Sequence, residues 1–317
     1  MTLLHAIIIS ILQGISELFP VSSLGHAVIL PRLLHWGIDE KSPSWLAFLV
    51  ALHLGTAAAL LVYFRDEWVD VVAAFIRSIK NGQIGQSHDD RLAWMVILGT
   101  IPAGIVGLAL QDPLRSLFAT PAIAASFLIV NGCIMFLGEQ LLQRQEAGRQ
   151  AQGASAIPLE RVAGDRGAAV ARSEPLPLRR NPVEIGRYRD ITQLSWRDAA
   201  IVGFAQVGAL IPGISRSGIT MVAGLAAGLT HEAAARYAFL LATPIIGAAA
   251  VLEVPQLFTS GGRSILGYAI LGAFLAAGAA YLSVRYLMKY FETGRLYPFA
   301  YYCVAAGALS LILLTVY

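Results

Sequence analysis

The stretch LQGISELFPVSSLGH, residues 12–26, lies inside an apolar run from 3 to 34 and interrupts it with a glutamate, a proline, serines, a glycine and a histidine. Lipid offers no partner to free backbone N–H and C=O groups, so such a break survives at membrane depth only where it lines a protein cavity. A second stretch, IPGISRSGIT at 211–220, interrupts the apolar run 199–230 in the same manner. Both runs read as re-entrant helix–loop–helix hairpins that enter the membrane and return on the same side. The remainder of the chain agrees. Of 317 residues, 56% are hydrophobic and 14% charged, whereas a soluble domain carries about 25% charged residues. The bilayer is then the second solvent. Fibrous, disulfide-scaffold and nucleic-acid-binding classes are excluded, and both Cys133 and Cys303 lie within apolar runs.

Six further segments, 45–64, 92–110, 122–142, 233–253, 264–284 and 297–317, each approach the ~20 residues that span a hydrocarbon core. The order is hairpin, then three spans, twice over. Weak internal matches follow that order: Gln13, Ser22 and Gly25 fall on Gln206, Ser215 and Gly218, while ILGTIPA at 97–103 falls on ILGAFLA at 270–276. Three spans per unit is odd, so the second unit is inverted relative to the first. The predicted fold is an all-α integral membrane protein with repeats at 1–142 and 196–317. Between them, 143–195 is rich in Arg, Gly, Ala and Pro and reads as a disordered linker. Outside that segment, the loops on its side of the membrane carry seven basic residues against four on the side of the N-terminus. Positive-inside then places the linker in the cytoplasm and both termini outside.

The chemistry gathers at the two breaks. Gln13 and Glu17 share a helical face four residues apart. Past Pro20, Ser22 reads as the N-cap of a restarted helix, with Ser23, Gly25 and His26 in its first turn. The second break supplies Ser215, Arg216, Ser217, Gly218 and Thr220. An arginine at the centre of a span costs about 2.5–3.5 kcal/mol on insertion scales. Its planar fork of donors suits bidentate phosphate contact. An ion pair between Arg216 and Glu17 bridging the repeats is compatible with that role. His5, His35, His53, His88 and His231 have no partner cluster in sequence and read as structural.

The strings at 12–26 and 212–220 together resemble the undecaprenyl-diphosphate phosphatase, or bacitracin-resistance, family. Its patterns are [E/Q]-x-x-x-E running into P-V-S-S-x-G-H, and P-G-x-S-R-S-x-x-T. Similarity continues through LGTAAALLVYF (54–64) and FLLATPIIGAA (239–249). The resemblance implies a multi-pass protein of the bacterial cytoplasmic membrane, its active site facing outward. It would hydrolyse undecaprenyl diphosphate to undecaprenyl phosphate, recycling the lipid carrier of cell-wall synthesis and conferring bacitracin resistance. It carries catalytic roles onto Glu17, Ser23, His26 and Arg216. Substrate contacts fall on Gln13, Ser22, Gly25, Ser215, Ser217, Gly218 and Thr220. A divalent cation, Mg²⁺ or Ca²⁺, would be held by Glu17 with the substrate phosphates, because Gln13 stands where many members have a second carboxylate. The expected partners are undecaprenyl diphosphate and the bilayer, with a homodimer left open.

On this reading Ser23 attacks the terminal phosphorus and His26, three residues on, takes its proton. Attack by water, with His26 or Glu17 as base, is the alternative. A rival of another class is an inverted-repeat transporter or flippase for a phosphorylated lipid or anion, which also uses broken helices and midplane charges.

Overall fold

The computed structural model describes residues 1–39, 42–118, 120–155, 189–259 and 263–316, and twelve α-helices fall within them. Helices α1 (Leu3–Ser16) and α2 (Ser23–Leu33) flank the first break. Helices α8 (Trp196–Val207) and α9 (Arg216–Ala226) flank the second. Six helices contain stretches long and apolar enough to cross a membrane: α3 (Pro43–Tyr63), α5 (His88–Ala109), α7 (Pro121–Ser155), α10 (His231–Glu253), α11 (Leu266–Tyr290) and α12 (Tyr297–Val316). They match the six expected spans, with ends shifted by no more than about two turns except at the C-terminal end of α7, which runs well past 142. No strand occurs among the described residues beyond an isolated bridge between Arg189 and Leu229.

Two segments expected as loops are helical. The first is α4 (Arg65–Asn81), opened by Asp66 and Glu67, carrying Lys80 in its last turn and stopped by Gly82 at φ 62°. Those charges match the helix dipole, and a left-handed glycine is a common helix stop. It escapes a search for spans because its apolar stripe, Val69, Val72, Ile76 and Ile79, covers one face only. The second is the short α6 (Gln111–Phe118). The segment expected as a linker also departs from expectation where it is described. Helix α7 runs on to Ser155, because ten of the thirteen residues 143–155 are Gln, Arg, Ala or Glu, which favour helix without any apolar periodicity and outweigh Gly148 and Gly153. Residues 156–188 of that segment lie outside the described residues.

Small residues let the spans touch backbone to backbone, the usual basis of helix packing where lipid removes the hydrophobic drive. A Cβ on Gly14 would lie 2.4 Å from the Ala276 carbonyl oxygen, fixing α1 on α11, and one on Gly203 would lie 2.7 Å from Gly99 Cα, fixing α8 on α5. Helices α7 and α12 meet likewise, Gly132 against Ala300 and Gly307 against Ala125. Helix α3 packs on both α10 and α11. These contacts bring the two breaks to the centre of the bundle, facing each other.

Candidate active site

Helix α1 ends at Ser16 with Glu17 as its C-cap. The chain turns through Pro20, which has no N–H to continue a helix. Helix α2 restarts at Ser23, and Ser22 caps it as expected, its Oγ accepting from the Gly25 N–H at 3.2 Å. The second break repeats the device: Ser215 Oγ accepts from the Gly218 N–H at 3.2 Å and opens α9. Each helix start leaves N–H groups without helical partners, so two positive helix ends converge. The breaks nearly touch. A Cβ on Gly25 would lie 3.1 Å from Gly213 Cα, and Gly213 itself adopts φ 99°.

Asn131, in the membrane-spanning part of α7, pins both breaks. Its Nδ2 donates to the Pro20 carbonyl at 3.1 Å and its Oδ1 accepts from the Ser215 N–H at 3.0 Å. Ser217 Oγ lies 3.4 Å from the carbonyl oxygens of both Glu17 and Phe19 and 3.0 Å from Ser215 Oγ. Sequence reasoning missed Asn131, although an amide in mid-span needs partners that lipid lacks.

Glu17 is the hub. Its carboxylate is 7% exposed. Oε1 accepts from Arg216 Nη2 at 2.8 Å, and Oε2 accepts from Ser23 Oγ at 2.5 Å and from Gln13 Nε2 at 3.1 Å. Arg216 also donates from Nη1 to the Ala238 carbonyl at 3.1 Å. The bridge between hairpins foreseen for Arg216 and Glu17 is therefore present, and it holds the guanidinium beside the Ser23 hydroxyl.

Histidine roles differ from expectation. His26 does not meet Ser23. Its Nδ1 lies 2.7 Å from the Ser22 carbonyl and its Nε2 2.8 Å from the Tyr302 hydroxyl. The imidazole at the site is that of His53 on α3, which the sequence left as structural. Its Nε2 is 3.2 Å from Glu17 Oε2 and its Nδ1 2.8 Å from the Leu49 carbonyl. A ring nitrogen facing a carbonyl carries the proton. The opposite nitrogen then faces the carboxylate. The available signal was that His53 is the one ionisable group besides Tyr63 in the 45–64 span.

A cavity of about 310 Å³ opens onto this cluster. Its polar end is formed by Glu17, Ser22, Ser23, His53, Ser215 and Arg216. Gln13, Gly25, Ser217, Gly218 and Thr220 lie behind that surface. Thr220 Oγ1 is spent on the Arg216 carbonyl at 2.7 Å. These residues frame the site rather than line it.

The donor set does not fit the divalent cation expected at Glu17. The carboxylate oxygens are already met by a guanidinium, a hydroxyl, an amide N–H and an imidazole. Gln13 turns its Nε2 towards Glu17, while its Oε1 is buried with no partner. It thus adds a donor where a cation needs an acceptor. Among the described residues no three His, Cys, Asp or Glu side chains converge as a metal site.

Comparison with known proteins follows the same lines. A family profile described as bacitracin resistance protein BacA matches residues 6–309. Undecaprenyl-diphosphatase 2 of Frankia alni is 44% identical over 339 residues, covering 98% of this chain and 98% of its own. Undecaprenyl-diphosphatase of Mycolicibacterium paratuberculosis is 45% identical across 97% of this chain and 96% of its own. The protein of that name from Acidiphilium cryptum is 44% identical across 99% of both.

Proposed function

The chain belongs to the bacitracin resistance protein BacA family, and from that premise we propose that it hydrolyses undecaprenyl diphosphate to undecaprenyl phosphate and inorganic phosphate. The observation that carries the reading is the Ser23 hydroxyl held 2.5 Å from Glu17, whose other oxygen is held by Arg216. A nucleophile, its base and an anion-binding cation thus share one buried point at the end of an apolar cavity.

The diphosphate draws Arg216 from Glu17 onto its terminal phosphate, with the N-terminal N–H groups of α2 and α9 around it. Glu17, released from its counter-charge, becomes a stronger base. Ser23 Oγ bonds to the terminal phosphorus as its proton passes to Glu17 Oε2, and the bond to the bridging oxygen breaks. Glu17 passes that proton to the oxygen of the departing undecaprenyl phosphate. Water then attacks the phosphoserine, giving its proton to Glu17, which hands it to Ser23 Oγ as the bond from serine to phosphorus breaks and inorganic phosphate departs. Most of the rate enhancement comes from charge placed beforehand around the phosphoryl group. His53 holds and orients the carboxylate. His26 fixes the Ser22 carbonyl and so the turn that presents Ser23. No step requires a cation held by protein carboxylates.

Helices α1 and α8 and their partners are read as re-entrant hairpins. An 11-residue arm such as α2 or α9 is only about 16 Å long, half the ~30 Å core. The repeats are inverted, at 1–142 and 196–317. In support, α1 packs on α11 as α8 packs on α5. The cavity faces outward from the bacterial cytoplasmic membrane. In intact cells an impermeant thiol reagent should label Arg32→Cys and spare Gln83→Cys; the opposite pattern overturns that orientation. The relatives are named as diphosphatases, which supports hydrolysis over transport. Phosphate release from a water-soluble prenyl diphosphate by detergent-purified protein tests the hydrolysis, because transport needs two compartments and hydrolysis none.

A further inference from the structure

Resting on the hydrolysis read above, we propose that Asn131 is a positioning residue for phosphoryl transfer, which holds Ser23 and Arg216 at their working separation while the Glu17–Arg216 bridge is open.

The reaction uses up the ion pair that joins the two breaks. Arg216 must leave Glu17 to reach the terminal phosphate, and at that moment the nucleophile stands on one hairpin and the cation on the other. Of the direct hydrogen bonds described between the breaks, the two contacts of Ser217 then remain, both at 3.4 Å, beyond the usual length of such bonds. Asn131 supplies a tie that the chemistry does not touch. It comes from a third element, the membrane-spanning part of α7, and is fully buried. Its Nδ2 holds the Pro20 carbonyl at 3.1 Å, inside the turn between Glu17 and Ser23. Its Oδ1 holds the Ser215 N–H at 3.0 Å, one residue before Arg216. Nδ2 also donates to Cys303 Sγ at 3.4 Å. The amide fits in one orientation. Turned over, it would set a donor against the Ser215 N–H and an acceptor against the Pro20 carbonyl. Both anchors are backbone groups, so this one side chain locates the turn that carries Ser23 and the helix start that carries Arg216. The second break also abuts α7 directly. Gly213 leaves no room for a Cβ against the Ala124 carbonyl oxygen, and a Cβ on Gly218 would lie 3.2 Å from Asn131 Oδ1. The separation of nucleophile and cation is thus set from α7 rather than by their own ion pair.

Asn131→Leu keeps the branching of the side chain and removes its hydrogen bonds. Glu139, about 12 Å further along the same helix, provides the control: it pairs with His231 at 2.9 Å and Arg295 at 3.2 Å, and these bonds reach neither break. Wild type, Asn131→Leu, Glu139→Gln, and Arg216→Lys with and without Asn131→Leu are purified in detergent. Phosphate release from undecaprenyl diphosphate and thermal unfolding are measured on each. Asn131→Leu should lower kcat by roughly 10²-fold, the scale of a misplacement of about 1 Å, with KM little changed. Glu139→Gln should lower the unfolding temperature, because it strips two cations of their partner, yet keep kcat and KM near those of wild type. In Arg216→Lys, which has no fork to place, Asn131→Leu should cost only about tenfold or less, since residues that act together are not additive. Where Asn131→Leu does not fold, Asn131→Ser, too short to reach both breaks, takes its place with the same expectations. Wild-type kcat in the Asn131 variant, a loss confined to KM, an equal loss of kcat in Glu139→Gln, or an undiminished loss in Arg216→Lys would each overturn the assignment. Failure of wild type to release phosphate would instead overturn the hydrolase reading on which it rests.

Discussion

The two breaks are the same scaffold put to different chemical use. In each a serine caps a restarted helix by accepting from a glycine N–H three residues later, at 3.2 Å in both. At the next position they part: the first break carries Ser23 and the second Arg216. The first has Glu17 where the second, by the register that aligns the caps, has Leu210, and His26 where the second has Ile219. The backbones part as well. Ser22 sits at φ 66°, a conformation that strains any residue with a Cβ, whereas Ser215 sits relaxed at φ −79°. Two like halves thus provide two positive helix ends, and nucleophile and base are placed on one, the cation on the other. The strain is stored on the half that attacks.

The largest effect should come from removing what the halves do not share. Ser23→Ala should abolish turnover, while Ser215→Ala at the cap of the other half should retain most of it; phosphate release measures both. Arg216→Lys supplies a charge without the fork and should lose roughly 10²–10³ in kcat, as removal of one pre-placed transition-state donor does. Near wild-type turnover would reduce Arg216 to a counter-ion for Glu17.

Next comes the bridge between the halves. Glu17→Ala leaves the Arg216 guanidinium buried without its partner, a change that costs about 3–5 kcal/mol where such pairs are broken. Thermal unfolding in detergent should fall accordingly, and the double variant Glu17→Ala, Arg216→Met should recover much of that loss without recovering activity.

A smaller effect separates the two histidines. His53→Gln keeps a donor beside Glu17 yet holds the carboxylate less firmly, and should lower kcat by about tenfold, less than the roughly 10²–10⁴ lost with a direct acid or base, with KM little changed. His26→Gln should affect turnover less, because it acts through the Ser22 carbonyl. The reverse ranking would return the proton to His26. The smallest effect concerns the strain itself. Ser22→Gly relieves the positive φ as it loses the cap, and should cost less stability than Ser215→Gly, where the difference is a few tenths of a kcal/mol.

The breaks, their caps and the Glu17–Arg216 bridge were legible because polar groups in an apolar run must find one another, and these had few choices. The six spans were legible from length and composition alone. Histidine assignment was not. Ser23 and His26 lie three apart on one helix, but a ring one turn along can face inward or outward, and here it turns back to its own N-cap and to Tyr302 from α12. His53 arrives from a helix whose rotation no local pattern fixes, since α3 is apolar on every side. Asn131 was hidden for the same reason. Helix α4 escaped because its apolar stripe is only a face wide, and the helical start of the linker segment because propensity rather than periodicity forms it.

The central claim is that the Ser23 hydroxyl, held by Glu17, attacks phosphorus. Substrate radiolabelled in its terminal phosphate, mixed with wild type and with Ser23→Ala and quenched in acid within one turnover, reads it directly. The account predicts label bound covalently to the peptide containing Ser23 in the wild type, with neither labelled protein nor released phosphate from Ser23→Ala. Phosphate released by Ser23→Ala at a rate near that of wild type, with no labelled protein in either, would contradict it and make water the nucleophile.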